Sequence, residues 1–227
     1  MNRVEKIDNL VPIRTALISV SDKSNLETLV HGLITASPGI RILSTGGTYK
    51  AIQQLTADYT PDAVELVSIA DYTGQPEMQG GLVKTLDFKI YLGLLAETYN
   101  SSHIDDLERT RSWPIDLTVV NLYPFQATIA TKGSTLEDAR ANIDIGGPTM
   151  IRASAKNYVR VATLCSPDRY AGFIEHIQSN RGAADLACRF NLAREAFSHI
   201  THYDKAISQY LDSAAIPHDL YVLADKE

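Results

Sequence analysis

Only two cysteines, Cys165 and Cys188, occur in the 227 residues, and they sit far apart with no CxxC. That usage excludes a zinc knuckle and a disulfide framework together, so a reduced, cytoplasmic setting is the expectation. A basic surplus is also missing: 21 Lys and Arg stand against 27 Asp and Glu, a formal charge of −6. Holding nucleic acid by a basic face needs clustered cations, which sets that class aside. No apolar run approaches the roughly 18 residues of a membrane span. Residues 1–11 are mixed polar without a signal-like apolar stretch, and neither repeats nor low-complexity tracts occur. What is present is an ordinary share of hydrophobic residues, 44%, in a chain long enough for one large domain or two small ones.

Short β-branched runs alternate with helical patterns, as in a parallel sheet with helices on both faces. The first run, Thr15-Ala16-Leu17-Ile18-Ser19-Val20, is almost continuously apolar, as a strand buried on both faces must be. It leads into the polar turn Ser21-Asp22-Lys23-Ser24-Asn25, then to Leu26, Leu29, Val30 and Leu33 at helical spacing. The unit recurs as a strand over 40–43, the turn Ser44-Thr45-Gly46-Gly47-Thr48 and a helix over 49–55. Residues 63–68, 116–120 and 159–164 read as three further strands, which predicts one doubly wound α/β domain. From Ser166 onward the pattern is helical. Leu186, Phe190, Ala193, Phe197, Ile200, Tyr203 and Ile207 predict a long C-terminal helix whose stripe packs on the domain or on a partner.

The turns at 21–24 and 44–48 both follow strands of the sheet, where open α/β proteins bind ligands against exposed helix N-termini. Gly46 and Gly47 let backbone approach a phosphate, Ser44, Thr45 and Thr48 add hydroxyls, and Lys23 adds a cation. A capping turn explains either segment alone; the pair in one sheet points to a ligand. Lys84, in Gly80-Gly81-Leu82-Val83-Lys84-Thr85, is either a solvated charge or a donor to a developing oxyanion. Tyr123, in Asn121-Leu122-Tyr123-Pro124-Phe125, is either a packing residue or a site residue. Asp144 precedes a Gly146-Gly147-Pro148 turn that opens a helix, and it either braces that turn or serves chemistry. Arg152 and Lys156 share one face of that helix. His199 and His202 lack a third ligand and read as a surface pair, so no metal is expected.

Taken in order, these segments resemble the IMP cyclohydrolase part of the PurH family of bifunctional purine-biosynthesis proteins. The resemblance rests on Ser19-Val20-Ser21-Asp22-Lys23, Ser44-Thr45-Gly46-Gly47-Thr48, Pro76-Glu77-Met78, Val83-Lys84-Thr85-Leu86, Asn121-Leu122-Tyr123-Pro124-Phe125, residues 142–148 and Arg152-Ala153-Ser154-Ala155-Lys156-Asn157. It implies a methylglyoxal-synthase-like α/β fold, with a mainly parallel sheet and added C-terminal helices, over residues 14–212. Residues 1–13 are then an N-terminal extension and 213–227 a tail. The implied reaction closes the ring of 5-formamidoimidazole-4-carboxamide ribonucleotide (FAICAR) to IMP and water, with no cofactor. Lys84, Tyr123, Asp144 and Lys156 match the family's catalytic positions. Ser21, Lys23 and residues 44–48 match the phosphate site, Thr85 and Asn121 the base site, and Ser19, Gly146 and Gly147 count among the binding positions.

The family pattern Arg-Val-Lys-Thr-Leu-His-Pro-Lys-(Val or Ile)-His-Gly-Gly is altered here. Leu82 stands for the arginine, Asp87-Phe88 for His-Pro, and Tyr91-Leu92 for His-Gly. The altered loop favours an alternative, a non-catalytic nucleotide-binding or regulatory module of the same fold. Methylglyoxal synthase, the other alternative, relies on a histidine without counterpart here. A second departure is the end at Glu227, where the family continues into a folate-dependent transformylase part; the expectation is a stand-alone cyclohydrolase or an expressed fragment, a homodimer, with a separate AICAR transformylase as partner.

Overall fold

In the computed structural model, which describes residues 3–75, 85–215 and 220–221, the apolar run at the start of the chain becomes the centre of a sheet. Strand β1 is Leu10–Pro12, and β2 is Thr15–Val20, buried along nearly its whole length. Four more strands lie parallel to β2: β3 (Ile40–Ser44), β4 (Val64–Ser68), β5 (Leu117–Asn121) and β6 (Ala162–Leu164). Their order across the sheet is β4-β3-β2-β5-β6. The register pairs Ala16 with Ile42 on one side and with Leu117 on the other.

Alternation along the strands divides the core between two faces. Ala16, Ile18, Ile42 and Val119 face α1 (Leu26–Ala36), α2 (Gly46–Leu55) and α9 (Tyr170–Ser179), whose Leu29, Ile52 and Phe173 complete one cluster. Leu17, Leu43 and Val120 face α3 (Ile69–Thr73), α4 (Phe88–Leu95), α8 (Gly146–Lys156) and α10 (Leu186–Ser213). Helices α5 (Ser101–Thr110), α6 (Phe125–Ala130) and α7 (Leu136–Ala141) are peripheral. The doubly wound α/β class read from the sequence holds.

Several boundaries differ from the sequence reading. Helix α2 begins at Gly46 rather than Tyr49, so the two glycines belong to its first turn. Asp116 and Arg160, read as strand residues, leave the ladder to form a buried ion pair at 2.9 Å. The helical stretch after Ser166 is interrupted by β7 (Ala183–Asp185), which pairs antiparallel with β1 and so ties residues 10–12 into a ribbon.

Helix α10, 28 residues long, turns a somewhat different stripe inward than the sequence spacing suggests. Arg189, Leu192, Ala193, Ala196, Ile200 and Ala206 are buried, while Phe190 and Phe197 are exposed. At 3.6 residues per turn the buried face is centred on Arg189, Ala196 and Ile200, which puts Phe190 and Phe197 at its edge, about 80–100° around the helix. Arg189 is fully buried because its guanidinium donates to the carbonyls of Asp8, Asn9, Tyr158, Val159 and Ala184.

Candidate active site

The sheet grows from β2 toward β3 and β4, then returns to the other side of β2 with β5 and β6. The switch falls between β2 and β5, and at their C-terminal ends the two loops diverge and leave a crevice. A cavity of about 430 Å³ opens there, within the size range of small-molecule sites. Its lining includes Ser19, Ser21, Lys23, Thr45, Gly46, Gly47, Thr48, Thr85, Asn121, Tyr123, Asp144, Gly146 and Gly147, drawn from five separate stretches of sequence.

One wall is built to meet an anion. No side chain caps α2, so the amides of its glycine-rich first turn face the cavity with the positive end of the helix dipole. Gly46 has φ +44°, a left-handed value that glycine tolerates without strain. The Lys23 ammonium lies 4.0 Å from the place a Cβ on Gly47 would occupy, so a cation and a helix N-terminus converge. Hydroxyls fix this wall rather than all facing the ligand. Ser44 Oγ is buried and donates to Ile18 O at 2.7 Å, and Ser44 does not line the cavity. Thr48 Oγ1 accepts from Val20 N and donates to Val20 O, and Ser19 and Thr45 bond each other at 3.0 Å. Asn121 braces the floor: its Oδ1 accepts from Ser21 N and Asp22 N, and its Nδ2 donates to Asp22 O.

The opposite wall carries Asp144. Its carboxylate accepts from Gly147 N at 2.8 Å and lies near the Tyr123 amide. Burial raises its pKa above the usual carboxylate range, with the two amides opposing the shift. Gly147 is required for this arrangement, because a Cβ there would stand 2.5 Å from Leu122 and 2.7 Å from Asp144 Oδ2. A Gly147→Ala change is expected to cost about 1–3 kcal/mol by forcing the carboxyl group aside; urea unfolding measures it. Thr85 Oγ1 lies over Gly146, 2.8 Å from where a Cβ would sit. Tyr123 and Ile145 are 54% and 55% exposed, so two large flat or apolar groups stand open at a cavity otherwise rich in polar atoms.

Two expected site residues, Ser44 and Lys156, do not line the cavity. Lys84 lies outside the described residues, as do Leu82 and the Pro76-Glu77-Met78 motif. Lys156 sits exposed in the last turn of α8 and does not line the cavity, which adjoins that helix's first turn, about 15 Å away along the axis. Tyr123 acts on the Asp144 carboxylate through its backbone amide, which opposes the rise in pKa. Asp87, in the altered loop, is 4% exposed and turned into the fold: Oδ1 caps α4 at Lys89 N and Oδ2 accepts from Gln75 Nε2 at 2.7 Å. The sequence pattern did not mark Ile143, Ile145 or Met150 as cavity residues, because apolar residues beside helical segments read as core. Among the described residues, no group of three or more His, Cys, Asp or Glu is placed to hold a metal ion.

A family model described as an MGS-like domain matches residues 26–149, more than half of the chain. The chain belongs to the MGS-like domain family. A second model, described as AICARFT/IMPCHase bienzyme, matches residues 154–226 of this MGS-like chain. Among relatives, the bifunctional purine biosynthesis protein PurH of Neisseria meningitidis serogroup A is 47% identical over 201 residues, covering 88% of this chain and 36% of that protein. PurH of a Synechococcus strain is 44% identical over 199 residues, with the same two shares. The chain thus spans little more than a third of the length of these relatives. The crystal structure of ForH is similar with a TM-score of 0.71 and 31% identity, covering 87% of this chain and 98% of that one. No helix among the described residues is long and apolar enough to cross a membrane.

Proposed function

We propose that this chain acts in purine biosynthesis as an IMP cyclohydrolase, closing FAICAR to IMP with loss of water. The observation that carries the reading is a half-buried carboxyl group, Asp144, facing one cavity with an anion cradle made by Lys23 and the first turn of α2. A purine nucleotide pairs such features: a phosphate at one end and a ring that must exchange protons at the other. The PurH relatives, named for purine biosynthesis, add support.

In the proposed reaction the carboxamide nitrogen attacks the formyl carbon and loses one proton, which passes to the formyl oxygen; loss of the formamide N–H proton with cleavage of the C–O bond then releases that oxygen, carrying two protons, as water. Asp144, with its raised proton affinity, takes the carboxamide proton and later returns one to the departing oxygen. Tyr123, at the open side of the cavity, relays that proton, and Lys84 stabilises the oxygen as charge develops. Lys23, Ser21 and the α2 amides hold the phosphate, and Ile145 covers the base. Both reacting groups belong to one molecule, so holding the formyl group against the carboxamide supplies much of the acceleration. Ring closure transfers no hydride and no external group, which is consistent with the absence of any cofactor in the proposal.

Ring closure of FAICAR, followed as the appearance of IMP, tests the activity. Calorimetry tests the ligand: IMP should bind about a hundredfold more tightly than inosine, since the phosphate makes the charge-assisted contacts. Lys23→Ala should weaken IMP binding about tenfold, or ~1.4 kcal/mol, and leave inosine binding unchanged. Equal loss for both ligands would contradict the phosphate assignment.

A further inference from the structure

Asp144 lies in a stretch between α7 and α8 that has no regular structure of its own, yet a proton acceptor must be held within a fraction of an ångström to act. The Tyr203 side chain, from a distant part of the sequence, hydrogen-bonds to this stretch. The Tyr203 hydroxyl, on α10, accepts a hydrogen bond from Asp144 N at 2.8 Å and lies 3.5 Å from Asn142 O, to which it donates. A single oxygen therefore spans both ends of residues 142–144. The Tyr203 ring meets Phe125 edge to face at 6.3 Å between centroids, in a small cluster with Ala139, Ile143 and Ala206. Phe125 opens α6 two residues after Tyr123, and its amide donates to Tyr123 O at 2.8 Å. The same aromatic pair thus joins the loop that carries Asp144 to the turn that carries Tyr123.

We propose that Tyr203 is a positioning residue of the site: its hydroxyl fixes the Asp144 backbone, and its ring fixes that backbone relative to Tyr123. The role in catalysis rests on the cyclohydrolase reading above; the brace itself does not. Helix α10 is thereby part of the site as well as a cover for the sheet. Its Tyr203 contributes no atom to the reaction and acts only through Asp144.

The test is Tyr203→Phe, which keeps the ring and its packing and removes one oxygen. Hydrogen exchange followed by NMR on the whole chain should show the Asp144 amide protected in the wild type and exchanging about tenfold faster or more in the variant. Amides of β5 should be unchanged. In FAICAR ring closure the variant should lose about tenfold in kcat with KM within about twofold, because the substrate contacts are kept and only the reacting geometry loosens. Unchanged Asp144 exchange, or a loss confined to KM, would overturn the proposal. Absence of turnover in the wild type would refute the ring-closing reading instead, and the exchange result would then decide the brace alone.

Discussion

Replacing Asp144 by Asn should lower kcat for ring closure by about 10²–10⁴-fold, the range for loss of a positioned general base, while the fold stays as stable as before or becomes more so. The two effects have one cause. Burial pushes the Asp144 pKa up, and the amides of Gly147 and Tyr123 oppose the shift only in part. A folded-state pKa above the unfolded one means that the fold favours the protonated form. The favourable contribution is full below the unfolded pKa and is lost as pH rises through the folded pKa. At neutral pH the wild type therefore holds a desolvated carboxylate that Asn, similar in shape and neutral, replaces without charge. Thermal unfolding at pH 7 should show an equal or higher Tm for Asp144→Asn, and the difference should shrink in acid. The rate of the wild type should fall on the acid side at a pH above the ordinary carboxylate range of about 4. A variant that loses stability and keeps its rate would mean that Asp144 only braces its turn.

The largest stability effect is expected far from the cavity, at the N-terminal ends of β5 and β6. Arg160 Nη1 donates to Asp116 Oδ1 at 2.9 Å, Nε to Ala96 O at 2.9 Å and Nη2 to Gly93 O. Asp116 Oδ2 accepts from Arg14 N and Thr15 N, both at 3.0 Å, so the pair links β2, β5, β6 and the end of α4. Both side chains are buried. Arg160→Ala leaves the carboxylate without its cation and is expected to cost about 3–5 kcal/mol, as for other broken buried pairs. Urea unfolding measures this. Adding Asp116→Asn should recover part of the loss, because the stranded charge is then gone. A cost near that of a surface pair, about 0–1 kcal/mol, would show that the pair is solvated.

The parts of this protein legible in its sequence are those where one residue type serves one purpose. Strand β2 is nearly all apolar because both its faces are covered, so its run announces a central parallel strand. Gly46, Gly47 and Lys23 were readable as candidates because they follow the strand ends of an open α/β sheet, and Asp144 because it precedes a Gly-Gly-Pro turn that opens a helix. Arg189 was not readable: a charge inside a helix suggests solvent, and only the carbonyls of residues 8, 9, 158, 159 and 184, four of them from other parts of the chain, explain its burial. Ser44 and Lys156 show the converse. Their types suit phosphate binding and charge balance, but sheet packing turns Ser44 inward to Ile18 O, and helix rise carries Lys156 away from the cavity. Asp87 stands where a histidine was expected, and its place as a buried cap of α4 appears only once the helix start is seen. Tyr203 lay within an apolar stripe and was read as packing, which is half of what it does.

The central claim, that the Asp144 cavity closes a purine ring, is tested most directly by mixing the purified chain with FAICAR and recording the rise of IMP absorbance against a protein-free control. The account predicts ring closure well above the spontaneous rate, saturable in FAICAR and abolished by Asp144→Asn. A rate equal to the protein-free control, from a chain that still binds IMP, would contradict it and leave a nucleotide-binding module without this chemistry.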